Sequence, residues 1–228
     1  MTNVEGLHRV RHPEERSLED RVAKNAKLMT DPRLAAAKAT LRLDARARRK
    51  ALMVEHPEAD WMAADHAGAM LTATGRPRPG VVALYKALGA ELDPRPLGEA
   101  LRKAGWSLAL PAVEAPDAPL VFRAWSPGEP LAKDLTGLAA PLPSAPVVQP
   151  DLVIVPLLAF DRRGDRLGQG GGHYDRTLAA LRGEPSPPAF VGLAYSGQER
   201  GDLPREPHDQ PLDGILTEAG YIAVRKDL

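Results

Sequence analysis

A glycine-bearing, basic loop carries the first chemical signal in the chain. Arg162, Arg163, Gly164, Arg166, Leu167, Gly168, Gln169 and then Gly170-Gly171-Gly172 lie between an apolar run, Leu152 to Val155, and a helical pattern, Tyr174 to Leu181. Strand, glycine loop, helix is the order that points free backbone N–H groups at an anion. Three consecutive glycines let the backbone pass close to a phosphate, and they equally suit a flexible turn. Asp175, at the start of the following helix, suits Mg²⁺ bridging a polyphosphate. It also suits a helix start, where a carboxylate is favoured by the dipole. The loop has neither the GxxxxGK[ST] spacing of a Walker nucleotide site nor the GxGxxG order of a dinucleotide fingerprint.

The elements that must hold this loop read as an α/β protein. Asp31-Pro32 is a helix start, and Ala, Leu, Arg and Lys dominate to Glu55, with Lys38 and Arg42 on one face. Such a basic face is commonly just solvated. His56-Pro57 ends that helix. A second helix is expected over Glu58 to Thr74, with Trp61, Met62, Ala69 and Met70 facing the core and His66 at the surface or its boundary. A strand (Val81 to Tyr85), a helix (Pro96 to Lys103) and a strand (Ser107 to Leu110, closed by Pro111) form a βαβ unit and imply a parallel sheet. Leu120 to Trp125 reads as an antiparallel edge strand. Residues 129 to 150 are proline-rich and aperiodic, so a functional or disordered loop is expected. Ala189 to Ala194 and Asp213 to Thr217 read as further strands, the latter followed by a Gly220 turn and an apolar run.

The fold class expected is therefore α/β: an open, mostly parallel, Rossmann-like three-layer sheet with helices on both faces and an N-terminal helical pair. Residues 1 to 31 read as a polar, mobile extension with one short helix around Leu18 to Leu28; residues 32 to 228 read as one domain. Ligands of such sheets bind at the carboxyl ends of strands, where the 160s loop, the Glu91 loop and the Asp209 loop should converge.

Bulk composition narrows the function classes. Thirty basic residues balance thirty acidic ones, which gives no argument for nucleic-acid or membrane partners. The absence of cysteine excludes a disulfide framework, a thiol nucleophile, a Cys-ligated zinc and an iron–sulfur cluster. No apolar run reaches the ~18 residues of a membrane span, and the first thirty residues lack an apolar leader segment, so a cytoplasmic protein is expected.

The run P-x-L-A-F-D-x-x-G-x-R-L-G-x-G-G-G-x-Y-D-R-x-L, from Pro156 to Leu178, closely resembles the signature of the 5-formyltetrahydrofolate cyclo-ligase (5,10-methenyltetrahydrofolate synthetase) family. Lys38-x-x-Leu41-Arg42, Glu91, Phe122-x-x-Trp125, and the set His208-Asp209, Asp213 and Thr217-Glu218 resemble further motifs of that family, and the resemblance spans roughly Ala37 to Val224. It implies ATP as co-substrate, Mg²⁺, and ATP-driven closure of 5-formyltetrahydrofolate to 5,10-methenyltetrahydrofolate through a phosphorylated formyl oxygen. It implies that Lys38 and Arg42, together with Arg166, Leu167, Gly168, Gln169, Gly170, Gly171, Gly172, His173 and Tyr174, bind ATP. Arg166 and Tyr174 would serve catalysis, Glu91 and Tyr174 the folate, and Asp175 the Mg²⁺. His173 stands where the family usually has an aromatic residue, and a packing role is expected for it. A monomer acting on small molecules is implied. The rivals are a non-catalytic folate- or nucleotide-binding relative and a sugar-phosphate isomerase of similar topology, which would need a base that the loop does not offer.

Overall fold

The computed structural model describes residues 31–224; the expected tail and its short helix lie outside them. Helix α1 spans Pro32–Glu55. The Asp31 carboxylate accepts the Arg33 N–H at 2.9 Å, and Pro32 occupies the first turn, where its missing N–H costs nothing. Its buried stripe is Lys38, Ala45, Arg49 and Leu52. The expected second helix is two: α2 (Ala59–Asp65) and α3 (Ala67–Ala73). They part at His66 (φ −89°, ψ 5°), whose ring lies 3.3 Å from the Glu218 carbonyl oxygen. The helical pair is thus a trio. Trp61, Met62 and Ala69 are exposed, while Ala59, Ala63, Ala64, Ala67 and Met70 face the core. Close packing of α2 on the next helix selects small residues there, so the apolar face was hidden among alanines.

That next helix is α4 (Arg95–Lys103), between β1 (Val81–Ala83) and β2 (Ser107–Ala112). Leu97 and Leu101 are fully buried, each contributing about 2 kcal/mol by leaving water. β2 runs through Pro111 rather than ending there. Beside it lies the edge strand β3 (Val121–Ala124), antiparallel as expected. Residues 129–150 contain a hairpin, β4 (Leu131–Lys133) and β5 (Ala139–Pro141). Asp134 builds its turn, accepting N–H groups from Thr136 at 2.8 Å and Leu138 at 3.1 Å. Strands this short and proline-flanked leave no periodic trace in sequence. Then come β6 (Leu152–Pro156), a small hairpin of β7 (Ala159–Phe160) and β8 (Arg166–Leu167), α5 (His173–Arg182), β9 (Ala189–Leu193), β10 (Gly214–Thr217) and β11 (Gly220–Ala223).

The seven-stranded sheet has the order β11-β10-β9-β6-β1-β2-β3, with the five central strands parallel and both edges antiparallel. Along β6, Leu152 and Ile154 enter one core and Val153 and Val155 the other. Alternate side chains on a two-sided strand must do so, which explains the unbroken apolar run. Helices α1 to α4 cover the first face and α5 the second. The sheet is the expected three-layer one. The chain leaves β1 for β2 on one side and returns to β6 on the other, so the order reverses between β1 and β6. The loops after these two strands diverge and leave a crevice.

Candidate functional site

That crevice is a cleft of about 390 Å³. Its lining holds every residue expected in the site: Lys38, Arg42, Glu91, Arg166, Leu167, Gly168, Gln169, Gly170, Gly171, Gly172, His173, Tyr174 and Asp175. Ala35, Pro156, Glu206, His208 and Asp209 complete it. Glu91 comes from the loop after β1, Pro156 from the end of β6, and the glycine loop from the β8–α5 connection. Arg162 and Arg163, which the sequence placed near the loop, are exposed and stand outside the cleft. They pair instead with Glu199 and Asp161.

The glycine loop is held from α1. The Arg42 Nε–H donates to the Gly168 carbonyl oxygen at 3.0 Å, and Arg46 donates to Gln169 Oε1 at 3.0 and 3.1 Å. Gly170 (φ 106°) and Gly172 (φ 67°) adopt backbone angles that side chains disfavour, and Gly172 caps α5. The cleft therefore faces the positive end of α5, where the first N–H groups have no partner within the helix. His173 makes a polar contact, its Nδ1 lying 3.2 Å from Arg176 Nη2.

Lys38 is buried, not solvated. Its Nζ donates to Glu206 Oε2 at 2.7 Å and Asp209 Oδ2 at 2.5 Å. Arg166 donates through Nη1 to the Gln210 carbonyl and through Nη2 to Asp175 Oδ1 at 2.9 Å. The same Asp175 oxygen accepts the Gln210 N–H at 3.1 Å. Asp175 is also the third residue of α5, so its helix-start role and its place on the cleft wall coexist. Its Oδ2 has no hydrogen-bond partner among the described residues.

On the far wall, Glu91 accepts the Leu88 N–H at 3.0 Å and an Arg49 N–H at 3.3 Å. Burial pushes the Tyr174 phenol well above its ordinary range, Glu91 adds to that and Arg166 opposes it. Burial and then Glu91 raise Tyr85 in the same way. Both phenols stay protonated at neutral pH and can act as hydrogen-bond donors.

The lining sets four acidic side chains (Glu91, Asp175, Glu206 and Asp209) against three basic ones (Lys38, Arg42 and Arg166). A polyphosphate entering such a cleft brings more negative charge and calls for a further cation. Hard carboxylate oxygens are the donors Mg²⁺ selects. Glu206, His208 and Asp209 place one ligand atom each within 4.8 Å of one another, and one buried oxygen of Glu206, Oε1, has no hydrogen-bond partner among the described residues. The residues present fit Mg²⁺.

Glu206, Arg49, Tyr85 and Gln210 were not singled out in the sequence. Arg49 had a usable signal, since it follows Lys38 by eleven residues, about three helical turns. Glu206, in a proline-interrupted loop, had none.

Known proteins share this sequence and this fold. A model of the 5-formyltetrahydrofolate cyclo-ligase family matches residues 34–218. The 5-formyltetrahydrofolate cyclo-ligase of Escherichia coli K12 is 35% identical over 177 residues, covering 75% of this chain and 95% of its own. That of Mycolicibacterium smegmatis is 32% identical over 155 residues, 63% of this chain and 77% of its own. Among solved structures, the 5,10-methenyltetrahydrofolate synthetase of Aquifex aeolicus superposes with a TM-score of 0.66 at 30% identity, covering 84% of this chain and 94% of that one. The synthetase of Mycoplasma pneumoniae gives 0.61 at 25% identity, with 79% and 98% covered. With the match running from α1 to β10 and taking in every wall of the cleft, the chain belongs to the 5-formyltetrahydrofolate cyclo-ligase family.

Proposed function

We propose that this protein is an ATP-dependent 5-formyltetrahydrofolate cyclo-ligase that releases ADP, phosphate and 5,10-methenyltetrahydrofolate. One observation carries the reading. A single cleft at the reversal point of the sheet joins an anion-binding wall, built by the glycine loop, α5 and α1, to a carboxylate wall at Glu91.

In this reading the formyl oxygen of the substrate attacks the terminal phosphorus of ATP and ADP departs. The formyl carbon, now part of an iminium phosphate, is attacked by N10. Phosphate leaves and the N10 proton passes to solvent. An amide-like oxygen is a poor leaving group until phosphorylated, and phosphoryl transfer asks mainly for positioning and charge neutralisation. The backbone from Gly168 to Gly172 and the start of α5 cradle the phosphates. Arg42 and Arg166 set positive charge beside them. Lys38 exchanges its carboxylate partners for phosphate oxygens when ATP enters. Asp175 Oδ2, with Asp209 and Glu206 once Lys38 has moved, would hold Mg²⁺, which supplies charge neutralisation on the polyphosphate. Glu91 accepts hydrogen bonds from pterin N–H and amino groups. Tyr174, kept neutral, donates from between the two sites.

Residues 32 to 228 would act as one catalytic domain, as a monomer in the cytoplasm. Among the described residues no helix is long and apolar enough to cross a membrane. The deciding experiment follows the absorbance of methenyltetrahydrofolate formed from 5-formyltetrahydrofolate with and without Mg-ATP. ATP-dependent product is expected; a well-folded protein that makes none would sink the enzyme reading and favour a binding-only relative.

A further inference from the structure

The buried face of α1 carries two cations eleven residues apart, Lys38 and Arg49. At 1.5 Å per residue they are separated by about 16 Å along the helix. Lys38 lines the nucleotide end of the cleft. Arg49 does not line it, and its guanidinium lies behind Glu91. Its side chain is 7% exposed and that of Glu91 6%. From one nitrogen, Nη1, it donates to Glu91 Oε1 at 3.3 Å and to the Leu157 carbonyl oxygen at 3.1 Å. Glu91 sits in the loop after β1 and Leu157 directly follows β6. A single group on α1 therefore ties together the two walls of the crevice.

Stability alone gives no reason for a guanidinium here. Burying an ion pair rarely gains more than an apolar pair of the same volume, and Arg49 Nε has no hydrogen-bond partner among the described residues. Its neighbour Arg48 shows the ordinary case, an exposed pair with Glu55 at 3.2 Å. What Arg49 does achieve is geometric. With the Leu88 N–H on one carboxylate oxygen and Arg49 on the other, Glu91 is fixed in rotation where it lines the cleft.

We propose that Arg49 is a positioning residue for the folate wall: through Glu91 it sets affinity for the pterin while leaving nucleotide binding alone. This rests on reading Glu91 as the pterin acceptor. The test uses the full chain and the variants Arg49→Met, Arg49→Lys, Glu91→Gln and the two Arg49 changes each combined with Glu91→Gln. KM for 5-formyltetrahydrofolate, KM for ATP and kcat are measured for each, with circular dichroism to verify folding. Arg49→Met should raise the folate KM about tenfold or more, the worth of one hydrogen bond to a charged group, with the ATP KM little changed. Arg49→Lys should restore part of the loss. Combined with Glu91→Gln, neither change should add further loss, because the carboxylate that Arg49 orients is gone. Equal effects on both KM values, a fall in kcat alone, or full additivity with Glu91→Gln would overturn the inference. If Glu91→Gln itself leaves the folate KM unchanged, the acceptor reading fails first; if Glu91→Gln is impaired and Arg49→Met is not, only Arg49 is wrong. Should Arg49→Met not fold, the Arg49→Lys cycle carries the same comparison.

Discussion

Two clefts lie at opposite ends of the sheet and differ in almost every respect. At the amino end, Trp106, Trp125, Arg102, Glu129 and a group of prolines around Pro141 and Pro146 enclose about 620 Å³. At the carboxyl end, the cleft of about 390 Å³ holds four acidic side chains, three basic ones and a run of glycine backbone. The larger one sits where β2 begins and antiparallel β3 ends, so no strand of the parallel set delivers its carboxyl end there. In an open parallel sheet the free N–H groups of helix starts and the diverging loops gather at the other edge. Volume follows loose packing between loops; chemistry follows topology and charge.

Changes at the two ends should therefore separate cleanly. The largest effect is expected from Arg166→Met, which removes a cation from the phosphate wall and strands Asp175. ATP-dependent product formation should fall about a hundredfold or more, the scale of losing one preorganised charge contact in a transition state. Thermal melting should show a loss of about 3 kcal/mol from the broken buried pair. Lys38→Ala comes next. A solvated lysine could be removed without cost to the fold, but Lys38 is buried between Glu206 and Asp209. The variant should raise the ATP KM about tenfold and also lower stability by about 2 kcal/mol, both measurable on one preparation. Gly172→Ala forces a side chain into φ 67°, at a cost of about 1–2 kcal/mol, and should weaken ATP binding with the folate KM unchanged.

Alkaline pH probes the walls without mutation. All four tyrosines are raised, Tyr85, Tyr174, Tyr195 and Tyr221, each first by burial, and Tyr221 to about 12. A group protonated more tightly in the folded state contributes stability that is complete below its unfolded value near 10 and is lost as pH rises from there through the folded value. Tyrosinate absorbance and far-ultraviolet dichroism should then change together above about pH 10; tyrosinate appearing in a still-folded chain would contradict the burial. The smallest effect on activity belongs to the amino-end cleft. Trp125→Ala should cost about 2 kcal/mol of stability and change turnover less than about twofold. A large loss of folate turnover there would mean that the substrate reaches across the sheet, and the contrast between the two ends would fail.

Most of the carboxyl-end site was legible in sequence because glycine runs, a helix start and a cation pair at i, i+4 are local patterns. The βαβ unit and the two-sided strand β6 were legible for the same reason: a period of 2 or 3.6, or an unbroken apolar run, reports burial directly. Trp61 and Met62 misled because alanines, not large residues, line the closely packed face of α2. The hairpin at 131–141 was missed because its strands are three residues each and its turn is built by one side chain, Asp134.

What the sequence determined by itself was the local chemistry: an anion cradle opening a helix, a cation pair on another helix, a parallel α/β sheet, and a family signature long enough to identify. Which of those charges face one another was decided only by the tertiary structure. Lys38 meets Glu206 across 168 positions of chain, and Arg49 meets Glu91 across 42. No periodicity encodes such pairings, because they arise from the reversal of strand order between β1 and β6 and from the packing of α1 beside the crevice there.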